Sequence, residues 1–206
     1  MSRRTAIAMD EDAKQAAFIS ALTTEHFVLQ TAASATVTEA AARSSLYVFA
    51  LSSSLIAIGF TSQVEGVFLV FTLSVLAAVF LLGLVTIVRL VDTAVENLEY
   101  LTGIARIRRY YRTLTPDASV HFAEGTGRWP EEKTPPSQVH GRIASLLGTT
   151  AAMIALVNSF VAGAVAALGV GAFLGRDHLA VGLGVGVVAA VGLMVGFLLY
   201  QRWRFS

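Results

Sequence analysis

The chain has 206 residues, of which 55% are hydrophobic and only 14% charged, with a mean hydropathy of +0.67, whereas an ordinary soluble domain carries about 25% charged residues. A net charge of +1 gives no global basic excess of the kind that binds nucleic acid. The absence of cysteine excludes disulfides, thiolate metal sites and a cysteine nucleophile together.

The opening, MSRRTAIAMDEDAKQ, has a basic pair but no apolar core of about 7 to 15 residues and no small-residue cleavage site, so no signal peptide is expected. Position 2 is Ser2, which excludes N-myristoylation, and the N-terminus is expected to remain in the mature protein. Residues 10–43 lack Pro and Gly and predict a long helix. Ile19, Leu22, His26, Leu29, Ala33, Val37 and Ala40 step by three or four and form one mainly apolar stripe. His26 lies on that stripe, either as a half-buried histidine bonded to the partner helix or as a pH sensor, because imidazole titrates near neutrality.

Residues 44–64 hold no charge and predict the first membrane span. Ser52, Ser53 and Ser54 sit at its centre, where serines either bond to carbonyls and neighbouring helices or line a water-filled path. Glu65 and Gly66 leave a short turn. Residues 66–88 contain 23 residues without a charge, long enough at about 1.5 Å per residue to cross a hydrocarbon core of about 30 Å. A continuous apolar run selects a helix over a barrel strand.

The helix is expected to run on past Arg89 to about residue 112, with Gly103 a weak point. Val91, Val95, Leu98, Leu101, Thr102 and Ala105 carry its stripe, and Asp92, Glu96 and Glu99 occupy another face. The N-terminal helix and this extension are expected to pair as an antiparallel cytosolic stalk. The extension ends in Arg106, Arg108, Arg109 and Arg112, interleaved with Tyr110 and Tyr111. These cations either complement the helix C-terminus or, if the chain bends at Gly103, engage anionic lipid headgroups.

Residues 113–144 hold all four prolines and read as a long cytosolic loop, with Trp129 its most obvious anchor for a partner. The third span is placed at residues 145–173, with Asn158 near its middle as glue between helices or as a ligand contact. Arg176, Asp177 and His178 form a minimal turn into a fourth span, residues 179–200. Gly182 with Gly186, Gly192 with Gly196, and Gly163 with Ala167 make small-xxx-small pairs that let backbones approach. The fold class is therefore all-α: four transmembrane helices as two hairpins, with a short tail from residue 201.

Fourteen of the fifteen Lys and Arg residues fall in the N-terminal segment, residues 89–142 and the tail, and only Arg176 lies in a short turn. The positive-inside rule then puts both termini in the cytoplasm of a cell membrane. Arginine outnumbers lysine 13 to 2 and alanine is abundant, a composition suggesting a GC-rich bacterial genome.

Chemistry-bearing patterns are missing. There is no GxxxxGK[ST], HExxH or GxSxG, and no span holds an interior carboxylate. His26, His121, His140 and His178 stand singly, so neither a catalytic centre nor a metal or other cofactor is expected. The absence of charge inside the spans also argues against ion-coupled transport.

The stretch ALTTEHFVLQTAASATVTEAAARSSLYVFALSSSLIAIGF looks like the opening of a group of uncharacterised bacterial four-span membrane proteins. A cytosolic helix, two spans and a returning helix over residues 10–112 are similar in plan to SLATT-type membrane effector modules of bacterial nucleotide-signalling and conflict systems. That resemblance implies a pore-forming effector, and residues 145–200 depart from its two-span plan. Two readings remain open. One is an oligomeric pore, with Ser52 to Ser54 and the acids Asp92, Glu96 and Glu99 at its path and inner mouth. The other is a non-conducting scaffold that recruits a cytosolic protein. The expected partners are the bilayer, further copies of the chain and a cytosolic protein, without nucleic acid.

Overall fold

A computed structural model describes residues 3–64, 66–122, 149–175 and 178–205. They form helices α1 (Arg3–Thr61), α2 (Phe68–Arg112), the single-turn α3 (Ala118–His121), α4 (Thr150–Leu174) and α5 (Leu179–Arg204), and no strand among them. All except α3 are long and apolar enough to cross a membrane.

The lengths follow from where helix breakers fall. No Gly or Pro precedes Gly59, so the expected N-terminal helix and first span are one helix of 59 residues that starts at Arg3 and ends at Thr61. The turn behind it uses Gly66 at φ +82°, a left-handed conformation that favours glycine; Glu65 lies outside the described residues. Helix α2 runs unbroken through Gly103 to Arg112, and Pro116 follows shortly after. Helix α4 begins at Thr150, later than the expected residue 145, and residues 145–148 lie outside the described residues. Thr149 is extended and its hydroxyl accepts the Ala152 N–H at 3.1 Å, an N-cap that satisfies an otherwise orphaned donor. Gly175, at φ +86°, closes the helix with its N–H on the Gly171 carbonyl. Helix α5 continues through the expected tail to Arg204. Most of the proline-rich segment, with Trp129, lies outside the described residues, as do Arg176 and Asp177.

Two compact units are distinguished, Met1–Val37 with Glu96–Val139 and Thr38–Val95 with His140–Ser206. In the first, α1 and α2 lie side by side. Phe18 meets Tyr110 edge-on at 5.4 Å, Thr23 Oγ1 lies 3.4 Å from the Tyr111 hydroxyl, Leu29 packs over Gly103, and Thr36 Oγ1 lies 3.2 Å from Asn97 Oδ1. From Thr23 through Leu29 to Thr36 the partners on α2 fall from Tyr111 through Gly103 to Asn97, so the pair is antiparallel. Gly103 is a packing position: a Cβ there would come 2.9 Å from Leu29 Cδ1. Ile104 and Ile107 are buried and centre this seam. The expected stripe needs one correction. Val37 is 61% exposed, and Thr36 is buried in its place, with its hydroxyl on the Ala33 carbonyl at 2.7 Å, which lets a polar residue face inward.

The second unit contains the apolar parts of α1 and α2 with α4 and α5, around a core that includes Tyr47, Leu76, Val91, Ile154 and Phe197. Helices α4 and α5 approach backbone to backbone. A Cβ on Gly163 would lie 2.7 Å from the Gly186 carbonyl oxygen, one on Gly186 2.6 Å from that of Gly163, and one on Gly182 3.0 Å from that of Ala167. Gly192 and Gly196 do not share this role, since a Cβ on either would meet nothing within 4 Å. With 3.6 residues per turn, Gly192 stands about 120° around the helix from Gly186, so it faces away from the contact that the first pair makes.

Candidate functional site

Asn158, near the middle of α4, is 2% exposed and joins three helices of the second unit. The Tyr47 hydroxyl on α1 donates to Asn158 Oδ1 at 3.2 Å, and Asn158 Nδ2 donates to the Phe80 carbonyl of α2 at 3.3 Å. A Cβ at Gly83 would overlap the Asn158 amide, so α2 needs a glycine where that amide enters. A buried amide is costly unless bonded, and here both ends of it are. Asn158 thus meets its partners on other helices, as the uncharged surroundings require. Neither Tyr47, fully buried, nor Gly83 belongs to a sequence motif; the signal the sequence offers is a lone tyrosine inside an uncharged stretch.

The serine cluster divides. Ser54 is half-buried on the line Tyr47, Leu51, Ser54 and Ile58 that faces the other helices, whereas Ser52 and Ser53 are exposed on the opposite side of α1. Ser52 also belongs to an exposed series of small residues at every seventh position, Thr38, Ser45, Ser52 and Gly59.

Charged groups gather at the ends of the apolar segments. The Glu39 carboxylate accepts from Arg43 Nε at 2.8 Å, one turn away on α1, and from Arg89 Nε at 2.9 Å on α2. The Arg89 hydrogen bond, followed by that from Arg43, holds the Glu39 carboxyl below its usual range. Asp92 accepts from Arg204 Nη2 of α5 at 3.0 Å. Asp92 is therefore neutralised by a partner in its own unit. In the first unit Glu96 is half-buried and engaged, and exposed Glu99 lies with Arg106 on the rim of an open hollow beside Gly103.

Arg106, Arg108, Arg109 and Arg112 occupy the last turns of α2, each in contact with other groups of the chain. The interleaved tyrosines meet α1 through Phe18 and Thr23, and Tyr111 also meets Phe122, which follows α3. His26 is half-buried as expected, yet its buried Nδ1 has no hydrogen-bond partner.

A cleft of about 220 Å³ opens between α2, α4 and α5 of the second unit. It extends from Phe80, Asn158 and Leu193 at one end to Val88 and Tyr200 at the other, with Gly196 in its wall. No family model, curated protein or solved structure matches the chain.

Proposed function

We propose that the protein is a polytopic membrane protein whose four long helices cross the bilayer as two hairpins, with both termini and the α1–α2 pair of the first unit in the cytoplasm. Helices of 25 residues or more with apolar windows fit a hydrocarbon core of about 30 Å, and the distribution of Lys and Arg supports the orientation. The Tyr47–Asn158–Phe80 cluster supports the same reading, since a span can hold an amide where other helices satisfy it.

Within the membrane, copies of the chain assemble through the free side of α1 into a channel-like oligomer. One observation carries this. The apolar window of α1 is 6% buried, against 17% to 33% for the other three helices, and the side left uncovered carries Ser52, Ser53 and the small residues in steps of seven. Helices meet closely at small residues in lipid, and serine hydroxyls lining an assembly axis offer oxygen ligands to a hydrated ion. Resemblance in plan to the SLATT-type modules is consistent with such an effector.

A second reading, a non-conducting scaffold that presents the first unit to a cytosolic protein, is favoured by the Asp92–Arg204 pair, which removes one charge from the inner-mouth acids. Ion flux into liposomes holding the purified chain, with its mass in detergent, separates the two. Flux from a defined oligomer, reduced by Ser52→Leu, supports the channel. A monomer without flux at any voltage supports the scaffold.

A further inference from the structure

We propose that, in the first unit, the face of α1 turned away from α2 docks on the same face of a second copy of the chain, as a parallel helix pair outside the membrane. This rests on the reading that copies span the bilayer alike and meet through the free side of α1. Residues 15–38 hold one formally charged residue, Glu25, where a soluble domain at about 25% charged would place about six. Nor is the exposed surface there merely neutral. Phe27 is 63% exposed and Val28 56%. Thr24 and Thr31, one turn to either side, are exposed too, yet their hydroxyls donate to the Ser20 and Phe27 carbonyls of their own helix at 3.1 and 2.9 Å. A hydroxyl so engaged can be covered by another helix without losing its hydrogen bond.

Spacing identifies what covers this face. Helix α1 carries two seven-residue repeats in the first unit. One, with Ile19, Leu22, His26, Leu29, Ala33 and Thr36, is the seam toward α2. The other runs through Ala17, Thr24, Thr31 and Thr38, joined three residues on by Phe27 and Ser34, and all of these are exposed. At about 100° per residue, Thr24 lies about 160° around the helix from Leu22, so the two repeats stand on opposite sides. A steady period of seven keeps a stripe turned toward its partner where that partner is itself an α-helix supercoiled with the first. The occupant is therefore a helix, and residues 17–38 offer it a seam about 33 Å long.

Which helix follows from the period beyond residue 38. In the sequence it continues through Ser45, Ser52 and Gly59, which belong to the exposed side of α1 through which copies meet in the membrane. Copies inserted alike present their α1 helices parallel and at equal height, so each repeat meets itself in register. Charge does not oppose the match. Glu25 follows Thr24 and stands about 100° around the helix from it, outside the contact.

The test uses the full chain in liposomes at a low protein-to-lipid ratio, with single cysteines introduced as Thr24→Cys, Thr31→Cys, Glu25→Cys or Ser52→Cys and oxidised by copper phenanthroline. Disulfide-linked dimer from Thr24→Cys and Thr31→Cys is expected several-fold above that from Glu25→Cys, and Phe27→Glu, which sets like charges against each other, should lower the Thr31→Cys yield several-fold. Dimer from Ser52→Cys, with Thr24→Cys and Thr31→Cys no higher than Glu25→Cys, overturns the proposal and leaves the membrane contact standing. If in addition added cytosol shields Thr31→Cys from a maleimide, the face belongs to a cytosolic protein. Dimer at none of the four positions overturns the proposal together with the oligomer on which it rests.

Discussion

Tyr47 and Asn158 are 111 positions apart in sequence, yet the tyrosine hydroxyl donates to the asparagine Oδ1 at 3.2 Å with both side chains almost wholly buried. The bond ties α1 to α4 and, through Asn158 Nδ2 on the Phe80 carbonyl, draws in α2. Two polar groups that apolar surroundings would penalise singly become a mutual requirement.

Tyr47→Phe and Asn158→Leu should therefore couple. Tyr47→Phe leaves Asn158 Oδ1 without its donor and Asn158→Leu leaves the Tyr47 hydroxyl without its acceptor, and a buried polar group without its partner costs about 1 to 3 kcal/mol. The double variant restores apolar matching. A double-mutant cycle on unfolding in detergent should give a coupling of about 0.6 kcal/mol and at most about 1.7, the average and the maximum for hydrogen bonds between membrane helices. Strict additivity would mean that the bond contributes nothing to the fold.

Gly163 and Gly186 face one another's backbone carbonyls, so leucine at either must push α4 and α5 apart. Gly163→Leu and Gly186→Leu are expected to lower thermal stability strongly, whereas Gly192→Leu, with open space around its Cβ, is expected to leave it near the parent value. Equal losses at all three would show that close approach does not set the cost, since leucine is a better helix former than glycine.

Acid should weaken the second unit through Glu39. Its carboxyl is held below the ordinary glutamate value of about 4.3 by the Arg89 hydrogen bond and then by Arg43, so folding binds fewer protons than unfolding does near that pH. The stabilisation is present above the unfolded value and is lost as pH falls through the lower, folded one. Glu39→Gln should flatten that part of the stability profile; a profile identical to the parent's would remove the pair from the account. The side chains are partly exposed, which makes high salt expected to shrink the effect.

Replacing Asp92, Glu96 and Glu99 by Asn or Gln tests them as an inner mouth. Cation preference in liposome currents should fall, with the Asp92 change contributing least because Arg204 already compensates that charge. Unchanged selectivity would remove the three acids from conduction.

Much of this organisation is legible in the sequence because lipid-compatible runs and helix breakers are strong signals. The apolar stretches around Tyr47, Leu76, Asn158 and Phe197 each announce a long helix, and Gly163, Gly182 and Gly186 announce close packing. Faces are harder to read. Val37 and Thr36 compete for one inward position, and hydropathy favours the valine although a hydroxyl bonded to its own helix can be buried instead. Gly192 has the right spacing but lies on the wrong side of α5, which only the rotation between Gly186 and Gly192 reveals. Tyr47 was hidden for another reason: its partner lies on a distant helix, and no local pattern encodes a bond across 111 positions.

The central claim, four crossings with both ends inside, is tested most directly by cysteine accessibility, because the chain has no cysteine of its own. Single cysteines replace the exposed residues Gln30, Gln63, His178 and Phe205, and intact cells are treated with a membrane-impermeant maleimide. The account predicts labelling at Gln63→Cys and His178→Cys from outside, and at Gln30→Cys and Phe205→Cys only after lysis. Labelling of Gln30→Cys or Phe205→Cys on intact cells would contradict it.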